Sequence, residues 1–531
     1  MALSSQASDA VLLLLAVLVV YVYQKEKKRR NNPYSHLPLP PTPKGSLPIL
    51  GNMLQIPTQF EWETYHRWCT ELDTDVLYLN IAGTPLVVLD TAQAAMDLLE
   101  KRSSIYSGRP RMPMLNELMR WDFNFAFREY GDHWRKHRRV IHDSFHPSAS
   151  KLMNPQLLFS ARRLLNRILV KPDNIIANFR HMAGETIMAI SYGIQVKEEN
   201  DPYVTTAEAA LHGLCMAALP GAFLVDALPF LKHVPSWFPG AGFQRKAQEW
   251  KDLATRMKTI PFELTKQNIA KGNFVPSFTS RSLARMESDE KARAGGYEEY
   301  VIQNVAGTMY AAGTDTTVSA LSSCFLGMLS RPEIVKRAHE ELDRVIKPGH
   351  LPDFDDEDSL PYIRALAKES LRWKDPLPVS IPHLLDVDDE YKGYRLPAGA
   401  IIVPNAWAML HDPKVYPDPF SFRPERFLKE DGTLDNSVRD PSLFAFGFGR
   451  RICPARYMAY SAIWITIATI LTVYDVKKAV DEDGNEIEPT YEYFSGLVCM
   501  PLPYKCSLTP RSKEAEKLIK SAMVQEQTAA V

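Results

Sequence analysis

Residues 444–456 read FAFGFGRRICPAR, and one cysteine in that string stands where a thiolate can be made. Gly447 and Gly449 allow a tight loop through backbone conformations that other residues resist. Cys453 then precedes Pro454, a residue suited to the first position of a helix. The apolar run 455–471 supplies that helix. A sulfur at a helix amino terminus feels the positive end of the dipole, which favours its ionised form. Loop N–H groups can donate to the same sulfur and tune what it gives to a metal. The plainer reading is a buried structural cysteine, and Cys69, Cys215, Cys324, Cys499 and Cys506 are read that way. No pair is spaced C-x-x-C, so a structural zinc site is not expected, nor is a disulfide framework in so long a chain.

A second group of reactive side chains lies inside an apolar helix expected over 298–330 and ended by Arg331-Pro332. At ~1.5 Å per residue such a helix runs roughly 50 Å, enough to cross a domain. Its middle reads Ala311-Ala312-Gly313-Thr314-Asp315-Thr316-Thr317. Gly, Thr and Asp weaken a helix, and a helix weakened there can open a groove, through a π-type bulge for example. A hydroxyl beside a carboxylate is a proton-delivery pair. The competing reading is a threonine patch that bonds back to its own helix carbonyls.

Two further motifs carry charge. Glu369 and Arg372 are three apart on a helix beginning near Leu360-Pro361 and can pair. Trp134 and Arg138 are four apart and share a helix face, where both can donate to an anion. Arg135, Lys136 and Arg139 fall elsewhere on that helix. They are either a solvated charge run or a docking patch for an acidic protein surface.

The order Phe446, Gly449, Arg451, Cys453 resembles the haem-binding signature of the cytochrome P-450 family, and the other motifs agree in order from Gly51 to Leu508. The resemblance implies haem b, with Cys453 as the ligand of its iron and Phe446 in the cofactor-binding loop. It implies Thr316 as the alcohol and Asp315 as the acid of a proton relay. Trp134, Arg138, His383 and Arg451 become the partners of the haem propionates. Glu369, Arg372 and the arginine of Pro424-Glu425-Arg426-Phe427 become a buried network that clamps the fold and holds the cysteine loop. The chain departs from the family pattern at Ala455, where glycine is usual, and at Leu384, where arginine often follows the histidine.

The activity implied is a monooxygenase using O2 and electrons from NADPH, delivered by a separate flavoprotein reductase. The arrangement most resembles fungal microsomal members acting in secondary metabolism, such as terpenoid biosynthesis, or on foreign compounds. A small apolar organic substrate is expected from the Met, Phe, Leu and Ala content of segments 105–127, 203–231 and 494–500. Arg109 and Arg111 are candidates for binding a carboxylate. Two other readings stand beside this one: a haem-thiolate isomerase or dehydratase needing no external electrons, and a non-enzymatic haem sensor or carrier.

These residues need a frame to hold them. Lys+Arg total 62 against Asp+Glu 63, which gives no electrostatic reason to expect nucleic acid as a partner. Residues 10–23 (AVLLLLAVLVVYVY) carry no charge, and Lys25, Lys27, Lys28, Arg29 and Arg30 follow. That order is the reverse of a cleaved secretory signal. It predicts a transmembrane signal-anchor over 1–24, with the catalytic part in the cytosol at the endoplasmic reticulum membrane. A basic, proline-rich linker over 25–50 follows. One large haem-thiolate monooxygenase domain is expected over 51–508, and an exposed, partly helical tail over 509–531. Strands are expected over 76–81 and 85–89, and a hairpin over 391–404. The fold class is mainly α with small β-sheets, that of the cytochrome P-450 fold.

Overall fold

A helix apolar or small on every side has no solvent face and must run through a core. Residues 318–329 are of that kind, and all twelve are buried in the computed structural model, which describes residues 32–219 and 221–529. The expected anchor over 1–24 lies outside the described residues.

The helices that position the site are α1 (Asp132–Phe145), α2 (Asn154–Val170), α3 (Ile175–Tyr192), α4 (Glu299–Gly313), α5 (Asp315–Ser330), α6 (Pro361–Trp373), α7 (Arg456–Val473) and α8 (Lys513–Ala529). Helix α3 packs on α4 and α5, while α7 packs on α2, α5 and α6. Helix α7 is long and apolar enough to cross a membrane, yet most of it is buried inside the protein.

A small sheet flanks this helical body. Strands β1 (Val76–Ile81), β2 (Thr84–Leu89), β3 (His383–Leu384) and β6 (Ile401–Pro404) pair in the order β1-β2-β6-β3. Alternation gives it two buried faces. Leu77, Leu79, Leu86 and Val88 pack with Tyr65 and Cys69, whereas Val76, Val87 and Leu89 pack with Leu98, Tyr106 and Phe448. Strands β4 (Asp389–Tyr391) and β5 (Tyr394–Leu396) form a separate two-stranded hairpin. The expected hairpin over 391–404 therefore divides, and β6 leaves it to run parallel to β2. Strands β7 (Tyr474–Lys478) and β10 (Cys506–Pro510) pair, as do β8 (Tyr493–Phe494) and β9 (Met500–Pro501).

Three expectations about helices are corrected. The span 298–330 is two helices, broken at Thr314 (φ −82°, ψ −72°) with no π-turn. The hydroxyls of Thr314, Thr316 and Thr317 donate to the carbonyls of Tyr310, Ala312 and Gly313 at 3.3, 2.8 and 3.0 Å. Such back-bonding competes with the helix ladder and bends it. Pro454 is not the first helical residue: Pro454 and Ala455 form a turn, and α7 begins at Arg456. The tail is not simply exposed. Helix α8 packs on α2 and α7, with Ile519 and Ala522 buried, and Arg511 donates to Asp343 at 2.9 and 2.6 Å.

Candidate active site

Helical spacing decides which side chains meet. On α1, Trp134, Arg138, Ile141 and Phe145 recur at steps of four, three and four, and all four line one cavity. Across it, Met309, Ala312, Thr316 and Ala320 recur at three, four and four, again on one face. The 445–455 loop, with Met458 and Ile463 of α7, and Leu371, Leu377 and Ile381 complete an enclosure of about 230 Å³.

Cys453 lines this cavity. Its own N–H donates to Phe446 O at 2.8 Å, closing the loop. Burial pushes the thiol up, while the Ala455 N–H, Arg138 and Arg456 pull it down. Burial is the larger of these influences, and the local donors offset only part of it.

Phe446, Trp134, Arg138, His383 and Arg451 line the same cavity, as does Arg109. Arg138 donates to Ile452 O at 2.7 Å. Arg451 donates to Ser107 O and Arg128 O, both at 2.8 Å, and its guanidinium lies 4.6 Å from the centre of the Trp134 ring. Arg109 donates to the carbonyls of Ala126, Ile381 and Pro382 at 2.8–2.9 Å. None of these three guanidiniums is hydrogen-bonded to a carboxylate, and no described residue accepts from the Trp134 indole N–H. Burial pushes Arg451 down to about 9 and Arg109 well below its ordinary range. Burial, with Arg109 and Arg451 nearby, keeps His383 neutral; its Nδ1–H donates to Tyr106 O at 2.6 Å. Desolvated cations without counter-charges are costly unless an anion joins them. Apolar walls, one thiol and three unmatched guanidiniums suit haem, whose ring is apolar and whose propionates are anionic.

Thr316 lines the cavity but Asp315 does not. Adjacent helix residues point about 100° apart. Asp315 instead accepts from Arg180 of α3 at 2.5 Å, and Arg180 also lies 3.8 Å from Glu208. Position 315 is thus part of an ion pair beside the cavity, not of its wall.

Glu369 and Arg372 are fully buried and bidentate, at 2.7 and 2.8 Å, with Arg426 Nε at 3.2 Å. Their remaining hydrogen bonds reach carbonyls of Leu410, Pro417, Asp418, Pro419 and Ser421 and the Arg423 N–H. The network clamps the 410–426 segment onto α6, and none of its bonds goes to the cysteine loop.

Other expected contacts fall out differently. Of the three expected pocket segments only 105–127 supplies described residues to the cavity wall, namely Arg109, Phe125 and Ala126; no described residue of 203–231 or 494–500 lines it. Arg111 is spent on Glu117 and does not line the cavity, whereas Arg109 lines it with no carboxylate partner among the described residues. On the outer side of α1, Arg135 pairs with Asp132, Lys136 with Glu298, and Arg139 donates to Gly295 O. These cations are tied internally rather than loose. The hydrophobic lining residues Met309, Leu377, Ile381, Met458 and Ile463 were not anticipated, although steps of three and four from Thr316 point to Met309.

The cytochrome P-450 family's sequence profile matches residues 40–508. Cytochrome P-450 monooxygenase 98 of Postia placenta is 44% identical over 92% of this chain and 93% of its own length. A cytochrome P-450 monooxygenase of Rhodocybe pseudopiperita is 42% identical over 91% of each chain. Tryptamine 4-monooxygenase of Psilocybe cyanescens is 41% identical over 91% of this chain and 94% of its own. With the match covering most of the chain and the fold mainly helical with small sheets, the chain belongs to the cytochrome P-450 family and is a haem-thiolate monooxygenase.

Proposed function

We propose that Cys453 is the thiolate ligand of the haem iron and that Thr316 holds a proton on the oxygen-binding side. The observation that carries this is one cavity lined by both residues and by guanidiniums lacking carboxylate partners among the described residues. Haem bound there supplies an iron that activates O2, with the sulfur donating electron density to favour O–O cleavage. Trp134, Arg138, Arg451 and Arg109 would hold the propionates and Phe446 would lie against the ring, whereas His383, whose one N–H goes to Tyr106 O, orders the wall beside them. The Thr316 hydroxyl donates to Ala312 O and keeps an oxygen lone pair to accept a hydrogen bond from water. Asp315, next to it on α5 and paired with Arg180 beside the cavity, is the acid we assign to conveying protons from solvent.

The substrate is a small apolar organic molecule. Met309, Ala312, Leu377 and Ile381 support that reading, since none carries charge. Oxidation in fungal secondary metabolism, on a terpenoid for example, or of foreign compounds is the role we assign. Electrons come from NADPH through a separate flavoprotein reductase. The protein sits on the endoplasmic reticulum membrane through residues 1–24, with the catalytic part cytosolic. Ile49, Leu54, Phe230 and Trp237, at least 65% exposed, are apolar surface consistent with a bilayer nearby.

Replacing Cys453 with Ala tests the ligand. The reduced carbon monoxide complex is expected to lose its thiolate-type spectrum, and persistence of that spectrum refutes the assignment. Turnover in the absence of NADPH would favour an isomerase instead.

A further inference from the structure

The cysteine loop rests on a segment that has no role so far. Ala92–Ala95 forms one α-helical turn, and the chain then widens into a π-helix over Met96–Lys101. Such turns are rare and concentrate at functional sites. This one presents Glu100 to the loop, where the Gly449 N–H donates to Glu100 Oε1 at 2.6 Å. Gly449 has φ +55°, and a Cβ on it would lie 2.1 Å from the Leu99 carbonyl oxygen. Helix end and loop are therefore in backbone contact that only glycine permits. A few residues on, Ser107 O accepts from Arg451 at 2.8 Å, a second tie to the same loop. From Gly449 the loop closes on itself: Ile452 N–H donates to Gly449 O at 3.2 Å and Cys453 N–H to Phe446 O at 2.8 Å. A carboxylate on the Gly449 amide fixes the base of the turn that aims the sulfur.

We propose that the π-helical turn Met96–Lys101 is the socket of the cysteine loop, with Glu100 a positioning residue that acts on Cys453 through Gly449. The inference rests on the reading of Cys453 as the iron ligand. A carboxylate accepting a backbone N–H is roughly twice as strong as a neutral pair, so its loss loosens the loop more than most single hydrogen bonds would.

The test uses the full-length, haem-loaded protein with Glu100→Ala, Glu100→Gln and Glu100→Asp. Amide hydrogen exchange over residues 446–453 reads the socket without reference to the iron. Glu100→Ala is expected to exchange about tenfold faster than the parent. Glu100→Gln keeps an acceptor oxygen and is expected to restore most of the protection. The reduced carbon monoxide spectrum then reads the consequence: the alanine variant should pass from the thiolate-type to the thiol-type form several-fold faster on standing. Unchanged exchange in Glu100→Ala overturns the socket. Faster exchange with an equally durable thiolate spectrum overturns the positioning role, and failure of Gln to rescue overturns the hydrogen bond as its cause. Where the alanine variant does not fold, Glu100→Asp, one methylene too short to reach Gly449 as well, is expected to exchange faster; parity with the parent overturns the proposal. Cys453→Ala run alongside separates the two readings, because a thiolate spectrum surviving there sinks the ligand assignment and leaves the exchange result intact.

Discussion

Asp315 and Thr316 are neighbours in sequence and occupy different surroundings, one in an ion pair with Arg180 and the other on the cavity wall. Their substitutions should separate accordingly. Thr316→Ala removes the hydroxyl proposed for the relay, and product formed per NADPH consumed is expected to fall on the order of tenfold, with peroxide rising to match. Retained tight coupling would count against the relay. Asp375 makes a different prediction. It is buried, its Oδ2 has no hydrogen-bond partner among the described residues, and burial pushes its carboxyl up to about 8. The folded state thus keeps a proton that the unfolded state releases above its ordinary value of 3.8. Stability from this group is full below that value and is lost as pH rises toward 8. Asp375→Asn cannot ionise, so its melting temperature relative to the parent should climb between pH 4 and pH 8. A difference that stays flat across that window rejects the assignment.

Elements, rather than single residues, set where those groups point. The α4–α5 break follows from local chemistry, since three threonine hydroxyls compete for helix carbonyls around a glycine. That weakness was legible in the sequence; its form, a turn and not a π-bulge, depended on packing against α3, where a Cβ on Gly313 would lie 3.0 Å from Ile187. Helix α8 was legible as a helix but not as a docked one, because its apolar positions give no hint of the groove between α2 and α7 that receives them. Ile519 is fully buried there. Ile519→Ala is expected to cost about 2–4 kcal/mol by denaturant unfolding. A loss under about 0.5 kcal/mol, the ordinary size for surface positions, would mean that α8 is not docked in solution.

At the scale of the whole molecule, the cavity is assembled from α1, the α4–α5 pair and the cysteine loop, each more than about a hundred residues from the next and carried by one helical body. The proposed anchor should be separable from that body. Removing residues 1–31 is expected to move the protein from the membrane pellet to the supernatant while the thiolate-type spectrum survives. A truncated chain that still pellets with membranes points to attachment through the folded part, where Phe230 and Trp237 are exposed. The sequence alone determined the family, through a resemblance carried by the string around Cys453, because the order and spacing of Phe446, Gly449, Arg451 and Cys453 are local properties of neighbouring residues. It also determined that Glu369, Arg372 and Arg426 belong together, though only by resemblance. What tertiary structure decided was direction: Asp315 turned to Arg180, Arg109 drawn into the cavity wall, the outer cations of α1 paired, and Gly449 set against Glu100. Except for Arg135 with Asp132, three residues apart on α1, those outcomes depend on contacts between residues far apart in the chain, and periodicity within one element carries no information about which neighbour its faces will meet.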